Sequence, residues 1–129
     1  MPAESTQLAR TIRQHLLELH KLLLDAERAE YERVAGAATP PATLLQLLIA
    51  DPQFDWLRQV SRLIVALDEA LSIRKPAPPE TLQRLLQQSR VLLEGAGGEA
   101  DFQGKYRLAL AASPEAARLH AELLSLLAP

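Results

Sequence analysis

Apolar side chains recur every three or four residues along nearly the whole chain, the spacing that lays a continuous stripe down one side of an α-helix. The first stripe runs through Leu8, Ile12, Leu16, Leu19, Leu23, Ala26 and Val34, with no Gly or Pro inside it. It predicts a helix from about Ser5 or Thr6 to about Val34, roughly 45 Å long at about 1.5 Å per residue. Gly36-Ala37-Ala38-Thr39-Pro40-Pro41 ends that helix, and Thr39 or Pro40 opens a short one through Leu44, Leu45, Leu47, Leu48 and Ile49. Asp51-Pro52 then resets the chain. Asp51 is suited to cap free backbone N–H groups, and Pro52 fits the first helical position, where its missing N–H costs nothing.

The helix expected after Asp51 organises the rest, and it carries the only Trp and one of the two Phe. On a helical wheel Phe54, Leu57, Val60, Ile64, Leu67 and Leu71 share one side. Trp56, Leu63 and Ala70 widen the arc on one flank and Val65 on the other, enough for burial against more than one neighbour. Asp55, Arg58, Arg62 and Glu69 fall opposite, with Asp55 and Arg58 at the spacing of a solvated ion pair. Ser61 and Asp68 project from within the apolar arc. A buried carboxylate needs a partner, and for Asp68 the candidates are His20, Arg13 or a serine.

Arg74-Lys75-Pro76-Ala77-Pro78-Pro79 reads as a stiff connector. The next helix, from about Pro79 to Glu94, presents Leu82, Leu85, Leu86, Leu92 and Leu93 with Ser89 among them, and Gly95-Ala96-Gly97-Gly98 ends it. The last segment starts near Ala100 with Phe102, Tyr106, Ala109 and Leu110 on one side. It breaks at Ser113-Pro114, an N-cap followed by a first-position Pro, and resumes through Ala116, Leu119, Leu123 and Leu126. Four long stripes joined by short loops predict an all-α fold. The economical arrangement is an antiparallel, up-and-down four-helix bundle, one domain over residues 1–129, with a short extra helix before Asp51 and a break at Ser113-Pro114. Tyr106, Ala109 and Pro114 resemble the second half of a tetratricopeptide unit, but no period near the required 34 or so residues repeats.

Composition agrees: 48% hydrophobic residues but only 4% aromatic, with Leu and Ala dominant, favours helix and no sheet. A net charge of −2 argues against a nucleic-acid binder, which needs a basic stripe to neutralise phosphates. The absence of cysteine excludes disulfides and thiolate chemistry and fits a reducing compartment. Met1-Pro2-Ala3-Glu4-Ser5 is polar and acidic, unlike a secretory signal, and no apolar run approaches the ~20 residues of a membrane span. A cytoplasmic protein is the expectation.

Chemistry has few footholds. The histidines are His15, His20 and His120, and the residues three before them are Ile12, Leu17 and Ala117, so the Glu-x-x-His pairs of di-iron bundles are missing. His20, Glu27 and Glu30 lie on or beside the first stripe and Asp68 within the central one; if they converged they would suit a divalent cation. The structural alternative has Glu27 and Glu30 reaching water near the helix end while Asp68 is paired. His20-Lys21 lacks the following Lys and Gly of a phosphotransfer histidine, having Leu22, Leu23 and Leu24 instead, and His120 has Glu122 near it but no phosphoacceptor motif. The glycines after Glu94 follow a helix rather than a strand and lack a nearby Lys-Ser/Thr, so they are no phosphate cradle. Arg58 and Arg62, one turn apart beside Trp56, are the candidates for a small anion.

Leu16, Leu17, Leu22, Leu23 and Leu24 occupy more than one face of the first helix, and Leu123, Leu124, Leu126 and Leu127 do so on the last. One stripe suffices for an isolated bundle, so a second apolar face predicts a homodimer or a helical protein partner. The stretch Asp51-Pro52-x-Phe54-x-Trp56-Leu57-Arg58-x-x-Ser61-x-Leu63-Ile64-Val65-x-x-Asp68-Glu69 resembles a segment of uncharacterised bacterial all-helical proteins of about this length. That resemblance implies a small bacterial bundle and brings no activity, cofactor or site with it. The sequence therefore predicts a helical interaction or self-associating module without catalysis. The alternative is a bundle with a polar core site, for a divalent metal or small anion, drawn from His20, Glu27, Glu30, Asp68, Trp56, Arg58 and Arg62.

Overall fold

The computed structural model describes residues 2–95 and 101–128, and among these it is all helical, with no strand. The elements in chain order are α1 (Pro2–Ala35), α2 (Pro41–Ala50), a 3₁₀ helix (Pro52–Leu57), α3 (Arg58–Ala70), α4 (Pro79–Leu93), α5 (Phe102–Ala112) and α6 (Pro114–Leu127). The short helix before Asp51 and the break at Ser113-Pro114 are both present. The expected helix stop at Gly97-Gly98 and the expected start near Ala100 lie outside the described residues. Gly95 ends α4 with a positive φ of 92°, and Gly36, at φ 77°, closes α1 with its N–H on the Glu32 carbonyl. Only glycine takes that conformation without strain.

α1 is the hub. Its 34 residues make a rod of about 51 Å, and Ala9, Ile12, Leu16, Leu19 and Leu23 along it have no exposed surface. α3, α4, α5, α6 and the 3₁₀ helix all pack on it, while α3 also meets α4, α4 meets α6, and α5 meets α6. A row of rings crosses the core: Trp56 lies 5.8 Å from Phe102, which stacks at 5.2 Å on Tyr106, which meets His120 edge-on at 5.4 Å. Tyr31 of α1 adds a tilted contact to Phe54. Ser89, with no exposed surface, is tolerated because its hydroxyl donates to the Leu85 carbonyl at 2.8 Å. Ser113 accepts the Ala116 N–H at 3.2 Å, so the residue that ends α5 starts α6.

Five expectations fail. The helix after Asp51 is not uniform, because its first six residues wind as 3₁₀. Side chains three apart then eclipse, so Phe54, Leu57 and Val60 point one way, whereas an α wheel sets Phe54 about 60° off Leu57 and drags the apolar arc toward Asp68. With the arc corrected, Asp68 is at the edge: its side chain is 54% exposed and pairs with Arg13 at 3.2 Å. Val65 is 54% exposed, and Val34, past the last packed turn of α1, is 73% exposed. On α6 the inward residue of the last turn is Leu127, leaving Leu126 37% exposed.

Candidate functional site

A groove of about 930 Å³ lies between the C-terminal half of α1 and α5, with the 3₁₀ helix as its floor. Its α1 wall includes Leu22, Ala26, Ala29 and Val34, and its α5 wall Leu108, Ala109 and Ala112. At the floor three elements are clasped together. The Trp56 indole N–H donates to Glu27 Oε1 at 2.9 Å, Lys105 Nζ lies 3.6 Å from the same oxygen, and Lys105 also donates to the Gln53 carbonyl at 3.0 Å. Glu27 is only 12% exposed, and these two donors are what make a carboxylate tolerable there. On the rim Glu30 is bidentate with Arg33, at 2.6 and 3.0 Å, which holds the Glu30 carboxyl below and the Arg33 guanidinium above their ordinary pKa values.

Of the residues singled out from the sequence, Trp56, Glu27 and Glu30 thus come together in one groove. The others do not join them. Asp68 is with Arg13, and His20 is a half-buried residue of α1 whose pKa burial lowers. Among the described residues no three His, Asp or Glu side chains are grouped to hold a metal ion. Arg58 donates to the Ile49 carbonyl at 2.6 Å and lies 3.3 Å from Asp55, so its guanidinium caps the end of α2. Arg58 and Arg62 do share a shallow groove between α2 and α3, lined also by Leu48, Ile49, Val65 and Glu69.

Two features escaped the sequence reading. Lys105 gave no sign of its place beneath Trp56, since it meets Gln53 across 52 positions. The second is α2 itself. From Val34 through Ala50 no residue is charged, and α2 reads Pro-Ala-Thr-Leu-Leu-Gln-Leu-Leu-Ile-Ala. Such a composition belongs to a core helix, yet none of its residues is fully buried: Leu44, Leu47 and Leu48 are half-buried against the core, and its main neighbour is the 3₁₀ helix. Leu45 is 59% and Ile49 66% exposed, and Val65 of α3 extends the patch. The missed signal was the absence of charge: a helix facing water normally carries some on its outer side.

α2 is held firmly at both ends. Thr39, 4% exposed, gives its N–H to the Glu32 carboxylate while its carbonyl accepts from Arg28, and Arg28 and Glu32 pair at 3.3 Å. The Thr39 N–H is the main reason Glu32 titrates below its ordinary value. With Arg58 at the other end, the apolar helix is presented rather than left loose.

A different polar pair lies at the far end of the ring row. Burial pushes the Tyr106 phenol well above its ordinary pKa and lowers that of His120. The phenol therefore keeps its proton, and its hydroxyl shares a hydrogen bond with His120 Nδ1 at 2.7 Å. This is a satisfied core hydrogen bond joining α5 to α6.

No protein-family model matches this chain, and no curated protein or solved structure matches it either.

Proposed function

We propose that the chain is a non-catalytic helical module that associates with a second copy of itself, with α2 as the contact element. The observation that carries this reading is α2: ten residues, no charge and none fully buried. Leu44, Leu47 and Leu48 pack against the core of their own chain, but Leu45 and Ile49 stand exposed beside Val65, which costs free energy unless something covers them, and a second copy is the partner always at hand. A helical segment of another protein is the competing occupant. α2 is uncharged, so two copies meet there without like-charge repulsion, and this favours self-association.

The same reading treats the four long elements as an up-and-down four-helix bundle that displays α2 at its side. Support comes from the order of packing: α1 on α3, α3 on α4, α4 on α6, and α6 back on α1. Zero cysteines fit a reducing, cytoplasmic setting, and no helix among the described residues is long and apolar enough to cross a membrane.

Native mass spectrometry and light scattering over a concentration series test the proposal. The expected result is a dimer for the parent chain and a monomer of unchanged helicity for Leu45→Glu or Ile49→Glu, both exposed positions. A parent chain that is monomeric at high micromolar concentration overturns it. An organism-derived adduct of metal or small-molecule mass would instead support the polar-site alternative.

A further inference from the structure

We propose that a second copy docks on the outer face of α3, the two α3 helices running antiparallel about a two-fold axis between Val65 and Ala66, with Arg62 of each chain opposite Glu69 of the other. The inference rests on the self-association reading and adds the face, the orientation and the charges that fix both.

The face follows from the periodicity of α3. Arg62 and Glu69 are exposed and seven residues apart, two helical turns, so they share one side of the helix about 10 Å from each other. Val65, 54% exposed, and the half-buried Ala66 lie between them. With Ile49 of α2 these residues line a shallow groove of about 660 Å³. Ile49 is 66% exposed, and Leu45, one turn back on α2, is 59% exposed. A helix laid on this face therefore covers Val65 and the open end of α2 in one contact. Ala66 is small enough to let two helix axes approach to about 8–10 Å.

Charge fixes the occupant and its direction. A two-fold contact needs a surface complementary to itself, in which residue i meets j wherever j meets i. Arg62 and Glu69 stand at equal distances on either side of the midpoint between Val65 and Ala66, and they have opposite sign. Turning a second α3 end for end over that midpoint brings Arg62 to Glu69 twice. A parallel pair would instead set Arg62 against Arg62 and Glu69 against Glu69, which repels. Among the described residues the Glu69 carboxylate has no partner within its own chain. The Arg62 guanidinium has five N–H donors, so it can serve Glu69 of a second copy besides an acceptor of its own chain. The other charges near the face are already balanced: Arg58 is with Asp55 and the Ile49 carbonyl, and Asp68 is with Arg13. Arg74 and Lys75 follow the end of α3, and in this register they come nearest to the neutral Asp55 and Arg58 pair of the other chain.

Charge reversal read by light scattering and native mass spectrometry tests the pairing, with circular dichroism to confirm that each variant is folded. Arg62→Glu and Glu69→Arg, both at exposed positions, each create two like-charge pairs in the contact and are expected to weaken the dimer at least about tenfold. The chain carrying both reversals restores the pairing in the opposite sense and is expected to dimerise like the parent. As a second measurement, Val65→Cys supplies the only thiol in the chain, close to the axis, and is expected to oxidise to a linked dimer, whereas Leu108→Cys in the groove between α1 and α5 stays unlinked. Single reversals that leave the dimer intact, a double reversal that fails to restore it, or linkage at position 108 in place of 65 would overturn the α3 face while leaving self-association standing. A monomeric parent chain would overturn both.

Discussion

The hydrogen bond from Trp56 to Glu27 makes the sharpest prediction, because it joins the 3₁₀ helix to α1 at the floor of the groove. In Trp56→Phe the buried ring is kept in smaller form while the N–H that reaches Glu27 at 2.9 Å is lost. A hydrogen bond to a charged group contributes about 1.5–3 kcal/mol. Lys105 remains 3.6 Å away and limits the damage to a carboxylate that is 12% exposed, which puts the bond near the lower end of that range. Lost packing against Phe102, whose ring is 5.8 Å away, adds about 1 kcal/mol. The total expected loss is therefore about 2.5–3 kcal/mol. A double-mutant cycle with Glu27→Met, which keeps length and removes the acceptor, separates the two terms. Urea unfolding followed by circular dichroism gives the four stabilities, since Trp56→Phe removes the only tryptophan signal. The expected coupling is about 1.5–2 kcal/mol, and a coupling below about 0.5 kcal/mol refutes the reasoning.

Three other outcomes follow from the same geometry. Asp68→Asn breaks an exposed pair with Arg13, so urea unfolding should show a loss of less than about 1 kcal/mol; a loss near 3 kcal/mol would restore a buried charge at that position. Ser113→Ala removes the cap of α6 and should cost about 1 kcal/mol by the same assay, with no loss indicating that Pro114 alone sets the break. Burial lowers His20 and His120 below 6.5, so the unfolded chain takes up protons first as the pH drops. Their contribution is complete above pH 6.5 and is lost as pH falls through the folded values. Thermal melts between pH 7.5 and 5 should show Tm falling toward acid, and His20→Gln with His120→Gln should flatten that slope; an unchanged slope counts against it. Glu32, held low by Thr39, acts in a separate window, its contribution fading only below pH 4.5.

Helix boundaries were legible because the residues that stop and start helices act locally. Gly36, Pro40-Pro41, Asp51-Pro52, Pro79 and Ser113-Pro114 each constrain their own φ or satisfy their own end groups, so they read the same in isolation as in the fold. The stripe of α1 was legible for a related reason: its spacing matches one helical face, and the buried Ile12, Leu16, Leu19 and Leu23 are that face. The pairing of Asp55 with Arg58 was also within reach, being a contact inside one turn.

What tertiary structure alone decided lies between elements. Whether residues 52–57 wind as α or 3₁₀ depends on how Phe54, Trp56 and Leu57 are drawn against Tyr31 and Phe102, contacts that span many residues. That choice moved Asp68 from the core to the surface. Glu27, Trp56 and Lys105 come from three separate elements, and no local pattern brings a lysine of α5 beneath a tryptophan of the 3₁₀ helix. The exposure of α2 was decided in the same way. Hydrophobicity records that a helix gains by burial, but the space to bury it is made by its neighbours, and here the core takes in only one side of α2, Leu44, Leu47 and Leu48, and leaves Leu45 and Ile49 outside.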